Sequence, residues 1–80
     1  MRNRVIENRY LRKAMDNAGL QEYGLAKGTD YFYIVSLEGA SDEAVIKAVN
    51  APSIPVYAFN RQSIDQWIKD ITDALSASEI

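Results

Sequence analysis

The chain contains no cysteine and no histidine. Without cysteine there is no disulfide framework and no thiolate metal site. Without histidine as well, the usual transition-metal ligands and the usual neutral-pH acid/base group are missing, so zinc, haem and triad chemistry drop out and no cofactor is implied. Proline (two) and glycine (four) are scarce. Each sits where an element should end, which leaves no linker, repeat or low-complexity tract. No apolar run approaches the ~20 residues that span a bilayer. Met1-Arg2-Asn3-Arg4 leads into a polar helix and not an apolar signal region. The expectation is a cytoplasmic protein with no membrane partner.

What is present is ordinary for one small domain: 80 residues, 48% hydrophobic and 25% charged. At that length the core must use most of the apolar residues. The net charge of −2 is unevenly placed, with five cations against one acid in residues 1–13 (+4) and four against ten in residues 14–80 (−6). A basic head on an acidic body suits either a solvated surface or a partner of complementary charge.

Tyr31–Leu37 is the longest run of strand-favouring residues, bounded by the turn-like Lys27–Asp30 and by a helix-start signal at Ser41. Leu20–Ala26 alternates well enough to form a hairpin with it, and Gly24 suggests an edge position or a bulge. Upstream, a helix from about Asn3 or Arg4 to Asn17 carries Ile6, Tyr10, Leu11, Ala14, Met15 and Ala18 on one side. Gly19 stands where a left-handed residue ends such a helix. Downstream, Ser41 caps a helix with Asp42 and Glu43 in its first turn, and Ala44, Val45, Ile46, Ala48 and Val49 cover most of its circumference, which reads as a largely buried helix. Ile54–Phe59 reads as a third strand, parallel to Tyr31–Leu37 through a right-handed crossover. Asn60 then caps a last helix with the stripe Ile64, Trp67, Ile68, Ile71 and Leu75, and residues 76–80 fray.

The expected fold is therefore α+β, one domain of order α-β-β-α-β-α, a small two-layer arrangement. Its three-stranded mixed sheet, a hairpin plus a parallel βαβ crossover, packs with three helices.

Four features bear on function. Tyr31 and Tyr33, with Tyr23 and Tyr57 on neighbouring strands, can form an exposed aromatic sheet face suited to a protein partner. Arg2, Arg9, Arg12 and Lys13 on the first helix can hold phosphates or an acidic partner, although Asp16 can pair with Arg12. The carboxyl ends of the two parallel strands would bring Glu38 and Ser41 near Asn60 and Arg61 as a weak anion site. Acids along the second and third helices can meet a basic protein.

With no catalytic set and no metal or nucleotide signature, the sequence points to a non-enzymatic module that binds a larger protein. Small regulators and inhibitors carried by phages and other mobile elements, including inhibitors of host defence, work this way. A nucleic-acid-binding module using the basic helix and the sheet tyrosines is the alternative, and a homodimer through the same tyrosine face or through the hairpin edge would bury the same surface.

Overall fold

The computed structural model describes residues 5–78. Its elements run α1 (Arg9–Asn17), β1 (Tyr23–Lys27), β2 (Phe32–Ser36), α2 (Asp42–Asn50), a 3₁₀ turn over Phe59–Arg61 and α3 (Ile64–Ala77). No described helix is long and apolar enough to cross a membrane.

The hairpin forms as the alternation requires. Antiparallel pairing sets Tyr23 opposite Ser36, Leu25 opposite Ile34 and Lys27 opposite Phe32. Opposed residues share a face, so Tyr23, Leu25, Phe32 and Ile34 look into the core, where all four are buried. The other face carries Gly24, Ala26, Tyr33 and Val35. Gly24 is not a bulge: the register runs unbroken through it, on a strand that lies at the edge of the two-stranded sheet. A Cβ there would come to 3.0 Å from the end of the Leu37 side chain, a tight contact.

The third strand does not form. Among the described residues the sheet has two strands, and the chain is a small α+β domain without a parallel crossover. Ile54 meets β2 in one antiparallel pair with Phe32. Phe32 N–H donates to the Ile54 carbonyl at 2.9 Å and Ile54 N–H to the Phe32 carbonyl at 2.7 Å. Two prolines confine the contact. Continuing the register would bring Pro52, which has no N–H, opposite Ile34. On the other side Val56 N–H turns back to the Ile54 carbonyl at 2.8 Å, a tight turn around Pro55 that takes the chain off the edge. The segment after α2 thus continues in that helix's own direction past the start of β2, and it never reverses to run beside it.

The first helix is shorter than its pattern suggests. Asn8 caps it by accepting from Tyr10 and Leu11 N–H, both at 3.0 Å. Val5 instead bridges Ala26 in an antiparallel contact, and Ile6 N–H donates to the Leu25 carbonyl at 2.7 Å. Ile6 is thus an extended residue packed on the core and not part of a helical stripe. Leu11 and Met15 make the buried face, whereas Tyr10 turns to solvent. The helix ends as expected: Gly19 has φ +80°, its N–H donates to the Asp16 carbonyl, and Leu20 N–H donates to that of Met15 at 2.8 Å. Leu20 then packs back into the core.

Ser41 caps α2, its hydroxyl accepting from Ala44 N–H at 3.2 Å. The Glu22 carboxylate accepts Ser41 N–H at 2.7 Å and ties the helix start to the foot of the hairpin. Contrary to a largely buried helix, only Ala44 and Ala48 are enclosed. The third helix is capped by Ser63 and not by Asn60, because Asn60 lies within the 3₁₀ turn. Trp67 of α3, fully buried, centres the core. Its ring meets Phe32 edge-on at 4.8 Å and stacks on Phe59 at 5.5 Å, and its indole N–H donates to the Phe59 carbonyl at 2.8 Å.

Candidate functional site

The four tyrosines expected to share a sheet face are separated. Tyr23 lies on the core face and is buried. Tyr57 sits outside the sheet, in the irregular segment before the 3₁₀ turn, with the Arg61 guanidinium 5.0 Å from its ring centre. Only Tyr31 and Tyr33 come together, their rings 5.9 Å apart on the outer side of the hairpin. Tyr31 is 42% exposed. Its ring lies over Gly28, where an added Cβ would displace it. Beyond Tyr31 the outer face closes over small residues: Ala26 and Val35 are buried.

The basic helix face divides likewise. Arg2 lies outside the described residues. Arg9 rests its guanidinium 5.5 Å from the Tyr10 ring centre, and Lys13 is exposed. Arg12 faces inward to the chain. It donates to the Tyr23 carbonyl at 2.8 Å and the Leu20 carbonyl at 3.0 Å, and pairs with Asp16 at 2.9 Å. These bonds clip α1 to the start of the hairpin and leave little of the guanidinium for a phosphate. Lys27, at the end of β1, donates to the Tyr57 carbonyl at 2.9 Å.

Without parallel strands their shared carboxyl end does not exist. Glu38 comes two residues after the end of β2, while Tyr57 and Arg61 gather near Lys27 and Phe32, at the opposite end of the hairpin. No group of three potential metal-ligating side chains occurs among the described residues. A cleft of about 420 Å³ opens between Val5, Ile6 and α1. Of its four polar lining residues, Asn8 and Arg12 are engaged in the cap and the clip, and Glu7 and Arg9 are exposed at its rim.

The feature that sequence reasoning missed is on α2. Val45 is 39% exposed, Ile46 60% and Val49 78%. At these spacings the three share one helix flank, with Asp42 beside them at the amino-terminal end. The pattern was ambiguous because the helix is apolar almost all round. The informative signal was the spacing of the two smallest residues, Ala44 and Ala48, at i,i+4, which let the helix approach β2 closely along that line alone. Between α2 and β2 runs a groove of about 320 Å³, walled by Ala48 and Val49 on one side and Tyr33 and Val35 on the other. No family model, no curated protein and no solved structure matches this chain.

Proposed function

We propose that the protein is a non-enzymatic protein-binding module, a regulator or inhibitor that acts by covering a surface of a larger partner. The observation that carries this reading is the α2 flank, where three branched apolar side chains face water in a chain small enough to need its apolar residues inside. Contiguous exposed apolar residues with a polar rim are typical of protein contact sites. Tyr31 and Tyr33 extend the same surface across the groove. The engagement of Arg12 and Lys27 by main-chain carbonyls favours this reading over nucleic-acid binding.

The test is photo-crosslinking from position 49, with position 69 on α3 as the control, in a lysate of the source cells. The expected result is an adduct with a larger protein from position 49 and none from position 69. The reading fails if position 49 captures no protein beyond the control while an Arg9→Ala/Lys13→Ala variant loses a salt-sensitive affinity for oligonucleotides.

A further inference from the structure

The α2 flank carries charge at one end only, and that end indicates what covers it. Along the helix Val45, Ile46 and Val49 lie within an arc of about 100°, and Asp42 continues the same stripe one turn toward the amino terminus. Glu43 borders that end, and Glu38 stands in the loop before it. All three acids are exposed and form no ion pair among the described residues. The one cation of the helix, Lys47, lies on the far side, beside Leu20, Thr72 and Ser76. The other end of the stripe is neutral, with the Asn50 side chain donating to the Ile46 carbonyl. On the neighbouring β2 edge Ile34 is 4% exposed, and residues 51–53 lead along it into the Ile54 pair. The sheet is therefore closed to a further strand here, and a partner meets this surface through side chains.

We propose that this flank receives an amphipathic helix of the partner protein, laid antiparallel to α2 and carrying lysine or arginine in its last turn. The proposal rests on the protein-binding reading and gives the partner its chemistry. A helix presents apolar side chains at i, i+3 and i+4, the spacing that Val45, Ile46 and Val49 themselves follow, so two such stripes interlock. The groove walled by Val49 and Tyr33 has room for one of the partner's apolar side chains. Antiparallel docking sets the partner's last turn beside Asp42 and Glu43. Cations there are favoured twice, by these carboxylates and by the partial negative charge at the carboxyl-terminal end of their own helix. A second copy does not answer the same charges. Two α2 flanks paired about a two-fold axis bring no α2 cation to Asp42, because Lys47 lies on the far side of each helix.

The test is selection against the full chain from a displayed library of single helices, randomised on one face and in both end turns. Enrichment of an apolar i, i+3, i+4 stripe with lysine or arginine in the last turn is expected. Val49→Glu and Asp42→Lys, each in a variant whose circular dichroism matches the parent's, should weaken the strongest peptide about tenfold. Changing that peptide's last-turn cations to glutamate should restore its affinity for the Asp42→Lys variant and lower it for the parent chain. An apolar stripe lost in Val49→Glu but with no basic bias, or with the bias in the first turn, overturns the basic antiparallel helix and leaves a protein-binding flank. Peptides indifferent to Val49→Glu, or no enrichment at all, overturn helix docking here, and the crosslinking from position 49 then decides the broader reading. A dimer by light scattering that Val49→Glu dissociates also overturns it, because the occupant is then a second copy.

Discussion

Replacing Arg12 with alanine separates a structural clip from a ligand-binding cation. Arg12 donates to two carbonyls, at 2.8 and 3.0 Å. A buried charged hydrogen bond contributes roughly 1.5–3 kcal/mol. Arg12 keeps 35% of its side-chain exposure, so water recovers much of that on truncation, and about 1.5 kcal/mol for the two together is the reasonable sum. The Asp16 pair, at i,i+4 on the surface, adds about 0.4 kcal/mol. Arg12→Ala should therefore lose about 2 kcal/mol, a fall in Tm of roughly 8–16 °C for a domain this size. Urea unfolding followed by the fluorescence of Trp67, the one tryptophan, measures it. Arg12→Lys should recover less than half, because one ammonium cannot fork across both carbonyls and the carboxylate. Arg9→Ala and Lys13→Ala should stay within about 0.5 kcal/mol of the parent chain. An Arg12→Ala variant equally unmoved would refute the clip and return Arg12 to the ligand-binding surface.

Three further outcomes follow from the packing. Trp67→Phe removes the bond to the Phe59 carbonyl and part of a fully buried ring; a loss of about 2–3 kcal/mol is expected by circular dichroism in urea. Gly19→Ala should cost about 1 kcal/mol through backbone strain alone, since φ is +80° and no atom lies within 4 Å of the added methyl, and Gly19→Asn should cost visibly less in the same assay. Val49→Glu should leave unfolding unchanged within about 0.5 kcal/mol, whereas Ala48→Glu, which buries a carboxylate against β2, should lower Tm sharply or prevent folding.

Much of the fold was legible because local chemistry was unopposed. Gly19, Ser41 and the Lys27–Asp30 turn each bound an element where steric or hydrogen-bonding needs say they should, and the α3 stripe around Trp67 has one face only. The third strand was illegible because Val56, Tyr57 and Phe59 favour a strand by composition, while the missing N–H of Pro52 opposite Ile34 and the tight turn at Pro55 decide the pairing. The start of α1 was misplaced because Ile6 fits a helical stripe and an extended segment equally well, and the Asn8 cap chooses between them. At the candidate site, the tyrosine set rested on a strand neighbour for Tyr57 that does not form. Arg12 read as a solvated cation because its carbonyl partners, on Leu20 and Tyr23, are invisible to residue patterns. The α2 flank was hidden by the assumption that apolar residues in a small chain must be enclosed.

The single pair between Phe32 and Ile54 has a consequence for how α2 is held. A nine-residue helix is too short to persist alone, and only two alanines of this one are enclosed. Its two ends are instead pinned from outside, by the Glu22 carboxylate on Ser41 N–H and by the Ile54 latch on Phe32. The outward residues 42, 45, 46 and 49 consequently have little part in keeping the domain folded. They form a cassette whose side chains can be exchanged by design to redirect binding, while the hairpin, the clip at Arg12 and the Trp67 core keep the frame constant.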